Sequence, residues 1–191
     1  TSAITGGGDP GAGKTAECDT WNGTSWIESA ELNTGREIGG AGGVSNTSAI
    51  FFGGDPGSGV TGATEAWNGS SWTEVNDMNT SRLVGVGLGT KTASLAVSGG
   101  TPPMSALVEE WNGTSWTEVN DVNTARTGIG GSGLSVTAAM VFGGYGPAST
   151  NIANTEEWDG SSWTEVADLG IAKRSGGSIG TSSTGVVSGG G

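Results

Sequence analysis

Histidine is missing from this sequence, cysteine and tyrosine occur once each, as Cys18 and Tyr145, and only seven lysines and arginines stand against 19 acidic residues. Each shortage closes off some chemistry. Without histidine, the commonest metal ligand and the usual general base are both gone. A single cysteine permits neither an intrachain disulfide nor a thiolate zinc site, so no metal or cofactor is expected. The formal charge of −12 repels nucleic-acid phosphates and anionic lipid heads, which argues against nucleic acid as a partner. Apolar runs such as Ala49-Ile50-Phe51-Phe52 are far too short to span a bilayer, so membrane insertion is not expected. No basic, apolar leader opens the chain, and Thr1 in place of an initiator methionine reads as a processed, trimmed or fragment end.

What the chain does have is glycine, at 39 of 191 positions, and eight regularly spaced tryptophans. Glycine-rich chains of low charge can be disordered, but disorder does not space tryptophans. The segment Trp21-Asn22-Gly23-Thr24-Ser25-Trp26 returns at Trp67 to Trp72, at Trp111 to Trp116, and at Trp158 to Trp163 with Asp159 in place of asparagine. A Thr-Glu-Val-like run follows each, then a segment ending in Arg36, Arg82, Arg126 or Arg174, a glycine-laced stretch, and an apolar run closed by Gly-Gly. Such a period marks a repeat architecture. The repeats run over about 1–35, 36–81, 82–125 and 126–173, with a partial one at 174–191, in a single domain spanning 1–191.

Each piece has a local physical meaning. Asn-Gly between alternating residues predicts a two-residue type I′ hairpin, whose central residues need positive φ. That register pairs Trp67 with Ser70 and Trp72 with Glu65, and leaves both indoles on one face. Two indoles on one face need another sheet to cover them. Val84-Gly85-Val86-Gly87-Leu88-Gly89 alternates with period two, as in a strand crowded against other backbones. Every unit then has four strands: a, rich in glycine; b, apolar and ending in Gly-Gly; and the tryptophan hairpin c–d. No segment carries a capped 3.6-residue period, so no helix is expected. The predicted class is all-β, a β-propeller of four-stranded blades.

Arg82 through Arg126 resembles a kelch repeat: an arginine, a glycine-rich strand, an apolar run closed by Gly99-Gly100, then Trp111 and Trp116-Thr117-Glu118-Val119. The resemblance covers essentially the whole chain. It departs from kelch in its short turn, where kelch units carry a longer loop and a tyrosine. The terse Asn-Gly-Ser-Ser-Trp style is similar to kelch-like repeats in predicted structural proteins of marine phages. The chain opens in a b strand (Ser2 to Thr5) and closes in another (Gly185 to Ser188). The strand near Arg174 to Gly180 could complete the first blade, which leaves one b strand surplus. That strand would join a larger ring, a continuation of a longer chain, or a second copy.

Irregularity between repeats gathers in the b–c loops, Asp9 to Thr15, Asp55 to Gly62, Thr101 to Ser105 and Tyr145 to Asn154. From the second tryptophan to the next Gly-Gly the distance is 28 residues in three repeats. Variable loops on a fixed scaffold carry binding specificity, which makes Asp9, Lys14, Asp55, Tyr145 and Asn151 the candidate ligand-binding residues. Gly8-Asp9-Pro10-Gly11-Ala12-Gly13-Lys14-Thr15 matches a phosphate-binding P-loop in letters. That chemistry needs a helix after the loop, and Ala16 to Trp21 leads into the hairpin instead. Asp9 and Asp55 are read as turn residues rather than calcium ligands, since no EF-hand or RTX spacing surrounds them. Arg36, Arg82, Arg126 and Arg174 are expected to pair with carboxylates between blades. The tryptophans Trp21, Trp26, Trp67, Trp72, Trp111, Trp116, Trp158 and Trp163 are expected in the core.

No nucleophile–base pair stands at a suggestive spacing, so no catalytic residues are assigned. Galactose oxidase shares the kelch architecture, but the copper ligands that resemblance implies, tyrosines and histidines, cannot be built here. The expectation is a non-enzymatic binding or structural propeller, a phage tail-fibre or appendage component found in the virion or outside the cell. Its expected partners are other virion proteins and host-surface glycan or protein. The alternative is a secreted or cell-surface bacterial propeller, lectin-like or protein-binding.

Overall fold

The computed structural model describes residues 2–100, 103–174, 177–181 and 184–188, the last two segments as backbone strands. The described residues form 17 strands and no helix. The first unit holds β1 (Ala3–Gly8), β2 (Thr15–Trp21) and β3 (Trp26–Ser29). The second holds β4 (Gly40–Ser45), β5 (Ser48–Phe52), β6 (Thr64–Trp67) and β7 (Trp72–Val75). The third holds β8 (Val84–Thr90), β9 (Ala93–Gly99), β10 (Ser105–Trp111) and β11 (Trp116–Val119). The fourth holds β12 (Gly130–Ser135), β13 (Ala138–Phe142), β14 (Thr155–Trp158) and β15 (Trp163–Val166), and a last pair is β16 (Gly177–Thr181) with β17 (Thr184–Ser188). Every pairing is antiparallel and between sequence neighbours, which gives three four-stranded sheets, one of three strands and one of two.

The a, b, c, d order read from the letters is the order observed. The glycine strands β4, β8, β12 and β16 lie beside one another in succession, so the sheets converge along them. Glycine is what permits this. A Cβ on Gly87 of β8 would stand 2.5 Å from the carbonyl oxygen of Ala41 in β4, where no side chain fits. The opposite ends of the sheets are free to splay and carry the tryptophan hairpins.

Three apolar clusters fill the spaces between successive sheets. Trp67 and Trp72 pack on Cys18 and Leu32 of the first unit. Trp111 and Trp116 pack on Ile50, Phe52 and Met78 of the second. Trp158 and Trp163 pack on Leu95, Val97, Val108 and Val122 of the third. Each tryptophan pair therefore covers the unit before it. Phe52 meets Trp116 edge-on with centroids 4.8 Å apart, a favourable quadrupole arrangement.

Trp26, expected in the core, is 53% exposed, because no described sheet covers the first hairpin. Three further expectations need correction. The hairpin turn has four residues, not two: Trp67 pairs directly with Trp72, and Asn68 N–H donates to the Ser71 carbonyl at 3.2 Å. Only the glycine takes positive φ, +98° at Gly69, which excludes type I′. The asparagine side chain explains the difference, because Asn68 Oδ1 accepts from the backbone N–H groups of both Ser70 and Ser71. Asn22, Asn112 and Asp159 cap their turns in the same way. The tryptophans still share a face, now as direct cross-strand partners.

The second correction concerns closure. β16 pairs with β17 and packs against β12, while β1 pairs with β2 alone, so the first sheet receives no inner strand among the described residues. The surplus is a hairpin that begins a fifth unit. The third concerns spacing. The residue opposite the first tryptophan is Ala49, Ser94 or Ala139, and the Gly-Gly pair starts at Gly53, Gly99 or Gly143. The third unit thus has one extra residue in strand b, Ser98 at φ +56°, with a matching deletion in strand a. The uniform 28-residue interval conceals both.

Candidate functional site

The four arginines divide into two kinds. Arg36, Arg82 and Arg126 sit in the loop before strand a and reach the c strand of the following unit. There they pair with Glu65 at 2.8 Å, Glu109 at 2.5 Å and Glu156 at 2.7 Å. All six side chains are buried. Each carboxylate also accepts from an asparagine three residues before the arginine: Asn33, Asn79 and Asn123 donate both backbone and side-chain N–H to Glu65, Glu109 and Glu156 at 2.7 to 2.9 Å. Burial pulls the Arg126 guanidinium down, opposed by Glu156. The asparagine signal, Asn-Thr-x-Arg, stood in the sequence. Its partner glutamate was recognisable only by position, two residues before the first tryptophan.

Arg174 is not the fourth member of this set. Gly144 N–H bonds the carbonyl of Lys173 as Gly54 N–H bonds that of Arg82, so Lys173 holds the register position and Gly170 replaces the asparagine. Displaced by one residue, Arg174 is exposed and lies over the Tyr145 ring, 4.5 Å from its centroid. Among the described residues no carboxylate is within ion-pair distance of it.

Tyr145 and Arg174 line a cavity of about 610 Å³, which is the size of a small-molecule site. Ile38 of the second unit, Leu83, Val84, Gly99, Gly100 and Met104 of the third, and Thr127 and Gly128 of the fourth form the remainder. The cavity opens where strands b end and strands a begin, on the side that carries the b–c loops. Its lining is mostly apolar, with one guanidinium. Two other clefts measure about 450 Å³ beside Trp158 and Glu118 and about 340 Å³ beside Ser2 and Val44.

The candidate loop residues separate. Tyr145 is in the cavity. Asn151 pairs with the Tyr145 backbone and so shapes the loop that carries it. Asp9, Asp55 and Tyr145 each follow a Gly-Gly pair, so they are equivalent positions with different chemistry. Asp9 and Asp55 each accept the N–H of the glycine two residues on, at 2.7 and 2.6 Å, as turn residues. Lys14 is bound to Asp9 at 2.8 Å and also to Glu37. Lys14 holds the Asp9 carboxyl below its usual range, and both carboxylates push the ammonium up. A lysine neutralised twice, ahead of a strand that starts at Thr15, is no phosphate cradle. Thr101 lies outside the described residues. Ile38, Leu83, Met104 and Arg174 escape a reading based on loop variability, because three of them flank the a strands.

Among the described residues no three of cysteine, aspartate and glutamate cluster to hold a metal. No protein-family model matches the chain, and no curated protein matches it. Solved structures do. The structure of YjhT superposes with a TM-score of 0.80 over 99% of this chain and 74% of that one, at 12% sequence identity. At that identity the likeness is one of fold, and it agrees with the stacked antiparallel sheets: the chain is an all-β protein with a β-propeller fold.

Proposed function

We propose that the chain is a non-enzymatic binding propeller, with kelch-like blades, that presents its b–c loop face to a surface partner. The proposed setting is a phage virion, as a tail-fibre or appendage component, and the partner a host-surface glycan or protein. The observation that carries this reading is the cavity on the loop face, lined by residues from the second, third and fourth repeats together with Arg174. A concave site assembled from loops on a repeated scaffold suits recognition. The sequence supports the non-catalytic half, having no histidine and only one tyrosine from which to build acid–base or copper chemistry. Mass spectrometry of purified virions tests the setting, and its outcome separates this reading from a secreted or cell-surface bacterial lectin. A glycan array tests the binding. Robust glycosidase or oxidase turnover by the purified chain would overturn the reading.

A further inference from the structure

We infer that the cavity between Ile38 and Arg174 binds a small organic carboxylate with an apolar body, the carboxylate on Arg174 and the body against Ile38. This rests on reading the loop face as a binding face and names the ligand chemistry for it. Two independent features lead to it.

The first is charge. Three of the four arginines are buried against glutamates, and the fourth faces the cavity with no carboxylate beside it among the described residues. In a chain of formal charge −12 such a guanidinium is conspicuous. The guanidinium lies over the Tyr145 ring, 4.5 Å from its centroid, and its planar fork matches the paired bonds that a carboxylate accepts.

The second is strain. Ile38 has φ +53°, a left-handed conformation that a β-branched residue avoids, and the residue is 54% exposed where it lines the cavity. The corresponding residue of the fourth unit, two after its arginine, is Gly128 at φ +58°, the residue type this conformation favours. At Ile38 the backbone is held on both sides. Glu37 exchanges two hydrogen bonds with Asp55, at 3.0 and 2.9 Å, and the Ile38 carbonyl accepts from Val84 N–H at 3.1 Å. Lys14 ties Glu37 in addition. A strained, exposed, apolar residue so firmly held costs folding stability, and such residues gather at ligand sites. With Leu83, Val84 and Met104 it supplies the aliphatic part of the cavity lining.

The test uses the full chain with phenylacetate and its uncharged isostere phenylacetamide, titrated by ligand-observed NMR. Phenylacetate should bind at least about tenfold more tightly than the amide, the scale of a charge-assisted hydrogen-bonded pair. Arg174→Gln should remove that preference and leave the weak amide binding unchanged. Ile38→Gly should weaken both ligands while raising the unfolding temperature, a combination that loss of folding cannot produce. Equal affinity for the two ligands, or an Arg174→Gln protein that retains the preference, overturns the carboxylate assignment. If glycan-array binding persists in that case, the binding-propeller reading stands without it; if neither probe, nor any glycan, nor any host-surface protein binds, both readings fail. Ile38→Gly lowering the unfolding temperature removes the strain argument, and unchanged affinity for both ligands in that variant overturns the placement of the apolar body against Ile38.

Discussion

Trp21–Trp26 and Trp111–Trp116 are written in the same six-residue segment and form the same hairpin, with ring centroids 5.6 and 5.4 Å apart. Their surroundings are opposite. Trp116 is 5% exposed beneath the second sheet, whereas Trp26 is 53% exposed, because no described sheet covers the first hairpin. The same contrast holds one layer deeper. Glu109 is clamped by Arg82, Asn79 and Thr80, while Asp19, two residues before Trp21 as Glu109 is before Trp111, is half-buried and pairs with no arginine among the described residues. The hairpin is thus a local structure, and its burial and electrostatics belong to the junction with its neighbour.

Substitutions in matched pairs sharpen this contrast. The largest difference is expected for tryptophan: Trp116→Ala should cost about 4 kcal/mol in urea unfolding, and Trp26→Ala about 1 kcal/mol. Similar costs for the two would mean that the first hairpin is covered in solution. The carboxylate pair comes next. Glu109→Gln leaves Arg82 buried without its counter-charge and should cost about 3 kcal/mol, against about 0.5 kcal/mol or less for Asp19→Asn. Equal effects would show the clamp to contribute nothing beyond a surface charge.

A subtler contrast separates two buried junctions. Trp116 Nε1 donates to Thr64 Oγ1 at 3.1 Å, and that hydroxyl donates to the Gly62 carbonyl at 3.2 Å. At the next junction Val108 takes the threonine's place, and Trp163 Nε1 has no partner among the described residues. Val108→Thr should therefore stabilise the chain by about 1 kcal/mol, and Thr64→Val should destabilise it by a similar amount. A destabilised Val108→Thr protein would show that the hydroxyl cannot reach both groups. The smallest effect belongs to the turns. Hydrogen bonds from Ser162 and Ser161 hold the Asp159 carboxyl down at about 2, against an ordinary value of 3.8. A depressed folded-state pKa contributes stability that is complete above about pH 4 and lost as pH falls through about 2. Asp159→Asn should flatten that part of the curve of unfolding temperature against pH, as asparagine accepts the same bonds at any pH in the other three turns.

The repeat, the all-β class and the strand order were legible because they rest on periodicities within a few dozen residues. The turn misled because Asn-Gly is compatible with two hairpins. What chose between them was the Asn68 side chain bonding to Ser70 and Ser71 N–H, a contact no letter pattern displays. Arg174 misled because a register of equally spaced arginines hides a slip of one residue, and the hydrogen bond of Gly144 to Lys173 is what reveals it. Of the candidate ligand residues, Tyr145 reaches the cavity, and Asp9, Lys14 and Asp55 do not line it.

The sequence by itself determined that each repeat makes four short strands, with glycines along one and two indoles on one face, since alternation and local hydrogen bonding decide these within a unit. Tertiary structure decided which tryptophan pair lies under a neighbour, which arginine is left without a glutamate, and where loops from separate repeats enclose a cavity. Those are relations across the junctions between units, the ion pairs alone joining residues 27 to 30 positions apart, and their free energies arise only when one sheet settles on the next.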